Sequence, residues 1–267
     1  MTSRSEIVFA QAGGRDLRLD LFRPDGEPRA IILMVHGGGW RRGSREGIAA
    51  YGRVFARLGF VTVAAEYRLL DEAPWPAQLD DVEAAVMWAA RNTDNLGAPA
   101  GRMALLGFSA GGHLALLAAD DLKDQVAAVI ALFPPVELVT DTPSAAQTAA
   151  SKLLDDGATE DAARLASPLH RAGPNFPPTF LIHGAEDWVV PHATSQAMFE
   201  ALSSAGVKVE LHIYAGHTHE FADAPYMMES VAAEVANFLH RMVVDPAGAR
   251  QEDLKHNSFA RNAQARR

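Results

Sequence analysis

The sequence predicts an α/β fold, with a mostly parallel central sheet and helices on both faces. Two observations carry this prediction. Short runs of strand character alternate with helical patterns along most of the chain. Several of the runs are apolar at consecutive positions, as expected for strands covered on both sides. Taken in order, 6–10 and 17–22 read as an opening hairpin turned at Gly13-Gly14. The continuous apolar run 30–35 follows, and 61–65, 103–106, 126–133 and 179–182 repeat its character. A further strand of alternating type covers 207–214.

Helices fill the gaps. In 76–91, Leu79, Val82, Val86 and Ala90 share one face, while Asp80, Asp81 and Glu83 lie elsewhere. The segment 109–119 is apolar nearly all round, so a buried helix is expected. In 230–244, Val231, Val235, Phe238 and Met242 form one stripe. No period of ~20–50 residues repeats, which argues against a solenoid or propeller. Two stretches break the alternation. The polar, proline-punctuated 136–178 is expected as a small lid insertion after the sixth strand. The stretch 246–267 carries five Lys or Arg against two acidic residues and little periodicity, so a flexible basic tail is expected beyond a domain covering 1–245.

Composition narrows the function. The 267 residues carry 24 Lys+Arg against 33 Asp+Glu, a formal charge of −9, and 48% are hydrophobic. That composition is globular, and a chain of this length buries roughly three quarters of its unfolded surface. The acidic balance argues against a nucleic-acid partner, which would need a basic face. With no cysteine, disulfides, thiolate metal sites and cysteine nucleophiles are excluded, and a reducing compartment is suited. No apolar stretch reaches the ~18 residues of a membrane span, and the N-terminus lacks the apolar core of a secretory signal. A cytoplasmic protein is expected.

The chemistry concentrates at three strand ends. Gly107-Phe108-Ser109-Ala110-Gly111 matches G-x-S-x-G between an apolar strand and a buried helix, the setting of a nucleophile elbow. His36-Gly37-Gly38-Gly39-Trp40 follows the 30–35 strand. Consecutive glycines let backbone N–H groups face a cavity, as stabilisation of an oxyanion requires. The expected donors are Gly38, Gly39 and Ala110, with His36 a scaffold residue. A phosphate cradle fails because neither G-x-x-x-x-G-K-[ST] nor G-x-G-x-x-G is present.

A serine hydroxyl needs a base, and the base an orienting carboxylate. Asp187, with Glu186 as its rival, follows the 179–182 strand, and His217 and His219 follow the 207–214 strand. Catalytic groups of open parallel sheets gather at this carboxyl edge, and the order Ser, Asp, His fits. His219 is favoured over His217. A metal held by His212, His217 and His219 is disfavoured, because no well-spaced acidic partner or H-E-x-x-H accompanies them. Trp40, Phe108, Trp75 and Trp188 lie beside these loops and are candidates to line a compact substrate pocket.

Together these residues resemble the α/β-hydrolase superfamily. More narrowly, they resemble bacterial esterases related to hormone-sensitive lipase and the compact acetyl-esterase and feruloyl-esterase-like proteins. The resemblance covers roughly 31–239. It rests on HGGGW, Tyr67-Arg68-Leu69, Pro74-Trp75-Pro76-Ala77, Asp81, GFSAGGH, Ala166-Ser167-Pro168 and HGAEDWVVP. It implies Ser109 as nucleophile, Asp187 as acid and His219 as base, since a histidine commonly precedes Phe by two positions in the final motif. Two departures stand out. Phe108 occupies the usual place of an acidic residue, and only about 35 residues precede HGGGW where such enzymes carry an N-terminal helical cap, so any lid is expected to come mostly from 136–178. The pocket is therefore expected to be open.

The expected reaction is hydrolysis of a short-acyl carboxylic ester through an acyl-serine, with no metal or organic cofactor needed. An arylformamidase-type amide hydrolase and a non-catalytic small-molecule binder are the alternatives. The expected partner is a small-molecule ester, and a homodimer through an edge strand or the last helix is compatible with the sequence.

Overall fold

A computed structural model describes residues 4–139, 153–154 and 159–264. The chain opens with the hairpin β1 (Arg4–Ala12) and β2 (Arg15–Phe22), turned at Gly13-Gly14. Strand β3 (Ile31–Val35) leads through α1 (Ala49–Arg57) to β4 (Val61–Ala65), and α2 (Ala77–Arg91) precedes β5 (Met103–Phe108). Helix α3 (Ala110–Asp121) then leads to β6 (Ala128–Leu132), and the short α4 (Glu160–Leu165) precedes β7 (Thr179–Gly184). Helix α5 (Ala193–Ser204) connects to β8 (Val209–Tyr214), after which α6 (Pro225–Leu239) runs into a π-helical turn, His240–Val244.

The eight strands form one sheet in the order β1-β2-β4-β3-β5-β6-β7-β8. β1, β2 and β4 pair antiparallel, and every later pair is parallel. Side chains alternate across each strand. Ile31, Leu33 and Val35 share one apolar layer with Leu79, Val82 and Val86 of α2, a layer that extends to Met198 and Leu202 of α5. Ile32 and Met34 pack on the other face with Val54 and Phe55 of α1 and with Val231, Val235 and Phe238 of α6. Both faces are thus covered, which explains why the central strands are buried at every position.

The chain steps from β3 outward to β4, then returns across β3 to place β5 on its other side. Loops after β3 and β5 therefore diverge and open a crevice at the carboxyl edge of the sheet. Much of the expected 136–178 insertion (140–152 and 155–158) lies outside the described residues. What is described is tied to the domain: Leu169 N–H donates to Val136 O at 3.0 Å, and Leu138 N–H to Ser167 Oγ at 2.8 Å.

The 246–267 stretch, expected as a flexible basic tail, contains helical segments. It carries α7 (Pro246–His256) and α8 (Ser258–Gln264), while 265–267 lie outside the described residues. No residue of α7 is buried, so apolar periodicity could not signal it. Its origin is a cap: Asp245 accepts from Gly248 N–H at 2.9 Å and Pro246 occupies the first helical turn.

Candidate active site

The elbow forms because β5 must turn directly into α3 against β3. A methyl group at Gly107 would lie 2.1 Å from Gly111 O, and one at Gly111 would lie 2.2 Å from Val35 O. Only glycine fits at either place. Ser109, at the apex, takes φ 49° and ψ −117°, a conformation that costs a non-glycine residue ~1–3 kcal/mol. Its N–H is anchored to Leu132 O at 2.8 Å.

The structure brings Ser109, His219 and Asp187 into one hydrogen-bonded series. Ser109 Oγ donates to His219 Nε2 at 3.0 Å, and His219 Nδ1–H donates to Asp187 Oδ2 at 2.6 Å. The other carboxylate oxygen, Oδ1, accepts from the N–H groups of Val189 and Val190, both at 2.9 Å. Burial would raise the Asp187 carboxyl, but hydrogen bonds from His183, His219 and Val190 N–H outweigh it and hold the group well below the usual carboxylate range.

His217 does not reach the serine. Its carbonyl accepts from Glu186 N–H at 2.9 Å, and its ring packs on Tyr214 and Phe221. His212 bonds to Glu234 at 2.7 Å and stacks on Tyr214, with centroids 4.1 Å apart. His36 is a scaffold residue: it stacks on Tyr67 with centroids 4.3 Å apart, and its ring bonds to Gly37 O at 2.8 Å. Burial pushes the His36 imidazole down to about 4, so it stays neutral near pH 7.

Two cavities meet at Ser109. The larger, about 590 Å³, is lined by Gly38, Gly39 and Ala110 together with Trp40, Pro135, Trp188, Val189, Val190 and His219. The smaller, about 330 Å³, contains Phe108, Phe133, Ile48 and Asp223. Gly38, Arg42, Ser109 and Glu220 border both. Trp40 is buried, whereas Trp188 is 74% exposed and stands at the rim. Trp75 lies outside both linings and packs on the His113 ring at 5.9 Å. Gly38 (φ 115°) and Gly39 (φ 60°) take left-handed backbone, which places the glycine loop against the serine.

Sequence reasoning missed two supporting residues. Phe133 adopts φ 42° at the end of β6 and sets its ring edge-on to His219 at 4.7 Å. His183, at the end of β7, contacts Asp187 Oδ2 at 3.2 Å. The signal available for each was its place at a strand's carboxyl end, beside a residue already singled out.

The sequence and the fold resemble those of known proteins. The BD-FAE family model covers residues 19–202. The chain belongs to the BD-FAE family. Esterase LipC of Mycobacterium tuberculosis is 31% identical over 199 residues, 66% of this chain and 49% of LipC. Esterase LipQ of the same organism is 29% identical over 289 residues, 95% of this chain and 66% of LipQ. This BD-FAE chain therefore spans about half to two thirds of the length of those curated relatives. The thermophilic esterase Est2 of Thermogutta terrifontis, solved with propionate bound, superposes with a TM-score of 0.77 at 26% identity. That match covers 89% of this chain and 93% of Est2. The fold is that of the α/β-hydrolases. Among the described residues, no helix is long and apolar enough to cross a membrane.

Proposed function

We propose that this protein is a carboxylesterase that hydrolyses short-acyl esters through an acyl-serine intermediate. The observation that carries the reading is the Ser109–His219–Asp187 series opening onto a cavity lined by a glycine loop. Ser109 Oγ attacks the ester carbonyl while its proton passes to His219 Nε2. The carbonyl oxygen takes the negative charge, held by the N–H groups of Gly38, Gly39 and Ala110. Collapse expels the alkoxide, which takes the proton back from His219. Water then repeats the sequence on the acyl-enzyme and releases the acid. Asp187 fixes the imidazole with Nδ1–H toward itself, leaving Nε2 free to accept.

The substrate ester sits where the two cavities join, with one half in each. Trp40 and Trp188 border the larger compartment and Phe108 the smaller. Their size suits compact groups. LipC and LipQ carry the name esterase, and Est2 holds propionate, which supports a short acyl group. Absence of cysteine suits the cytoplasm as the working compartment.

The test is a panel of p-nitrophenyl acetate, butyrate and decanoate with N-formylkynurenine. The acetate or butyrate should give the highest kcat/KM, and Ser109→Ala should lower it by ~10³-fold or more. Preference for N-formylkynurenine would move the reading to formamide hydrolysis. No turnover of any of them would refute it.

A further inference from the structure

A second Ser–His–Asp series lies behind the first and shares its carboxylate. His183 ends β7, and Ser195 sits in the first turn of α5. Both are wholly buried, and neither lines the cavities at Ser109. They cannot meet a substrate. His183 Nε2 faces two groups that can only accept: Val190 O at 2.8 Å and Asp187 Oδ2 at 3.2 Å. Nε2 therefore carries the ring hydrogen. Nδ1 lies 2.8 Å from Ser195 Oγ, whose hydroxyl donates to it in the neutral ring. The two acceptors at Nε2 set the tautomer that points a donor at Asp187, and the Ser195 hydroxyl satisfies the nitrogen left as acceptor.

This arrangement matters for how Asp187 is held. The two amides on Oδ1 come from its own loop, Val189 and Val190. On Oδ2 the contacts are His219, from the loop after β8, and His183, from the buried end of β7. Without His183, the side chain fixing Oδ2 would be the same imidazole that the carboxylate has to orient. His183 supplies a reference on the central sheet that is independent of His219. It also ties Val190 O to the same ring, so the acid's loop and the acid's oxygen share one anchor.

We propose that His183, backed at Nδ1 by Ser195, is a positioning residue that holds the Asp187 carboxylate in place to orient His219. The proposal rests on the reading of Asp187 as the acid of the esterase. In His183→Leu, kcat on p-nitrophenyl acetate should fall ~10- to 100-fold with KM within about twofold. His183→Gln places an amide N–H where Nε2 was and should recover kcat to within about threefold of wild type. In an Asp187→Ala background, His183→Leu should change the residual kcat by less than about twofold, because its effect passes through that carboxylate. A purely structural role predicts the same loss in both backgrounds.

Active sites are counted by fluorophosphonate titration, so a misfolded fraction does not enter kcat. If His183→Leu does not fold, Ser195→Ala decides: kcat should fall ~3- to 10-fold with KM unchanged, and the loss should vanish without Asp187. Wild-type kcat in the Leu variant, no rescue by Gln, or a loss undiminished without Asp187 overturns the proposal. In the fallback, an unchanged kcat for Ser195→Ala does the same. A wild-type enzyme that fails to label at Ser109 would instead overturn the esterase reading beneath it.

Discussion

Gly111→Ala sets two physical effects against each other. Gly111 lies in the first turn of α3 with ordinary helical backbone, so propensity alone favours alanine by up to ~1 kcal/mol. Sterics oppose it. The added methyl would lie 2.2 Å from Val35 O and 2.4 Å from His36 O, both main-chain atoms at the end of the central strand β3. A carbon–oxygen contact settles near ~3.3 Å, so helix and strand must part by roughly 1 Å. Neither is a flexible side chain that could swing aside, and overpacking of this kind costs ~1–3 kcal/mol or more. The steric effect wins, and a net loss of about 1–2 kcal/mol in urea-unfolding free energy is expected. The same displacement moves Ser109 and the Ala110 amide relative to the glycine loop, and a ~1 Å error costs on the order of 10² in rate. The assay is kcat/KM on p-nitrophenyl acetate alongside urea denaturation. Gly26→Ala, where a methyl meets open space, is the control and should stay within ~0.5 kcal/mol. A Gly111→Ala protein as stable and as active as wild type would refute the elbow geometry as the reason for glycine.

Three further outcomes follow from the same contacts. His219→Ala should lower kcat by ~10³-fold, while His217→Ala, whose ring does not reach the serine, should stay within about tenfold; equal losses would sink the assignment. Arg45→Met removes a nearly buried cation that serves Asp20, Glu66, Glu46 and Glu6 at the opening hairpin, so the loss should be ~3 kcal/mol, several degrees in Tm, with kcat unchanged. Burial pushes His36 and His113 down to about 4, so both are neutral in the folded protein while the unfolded chain takes up protons below ~6.5. Their stabilisation is present above that pH and lost as pH falls toward 4, by a few kcal/mol in all; urea unfolding free energies that stay flat between pH 7 and pH 4.5 would contradict this.

How much was legible in the sequence depended on which force shaped each element. β4 is legible to the residue, because a strand buried on both faces is a bare apolar run. The elbow and glycine loop were legible because sterics there admit only one residue type. Helix α1 is not legible: Gly52 interrupts its middle, and that glycine answers to the Phe22 ring, 2.5 Å from where a methyl would sit. Helix α5 buries Ser195, Met198 and Leu202, so a serine stands in its apolar series and weakens the pattern. That serine is the partner of His183, and the polar pair hid both the helix and its role. His219 over His217 was decided by a two-residue offset that spacing could favour but only the turn at Glu220, φ 58°, could place.

The most direct test of the central claim is to treat the protein with a fluorophosphonate and map the adduct by peptide mass spectrometry. The series that opens onto the cavity predicts one adduct, on Ser109, absent in Ser109→Ala and much slower to form in His219→Ala. An adduct on Ser195, or labelling that survives Ser109→Ala, would contradict it.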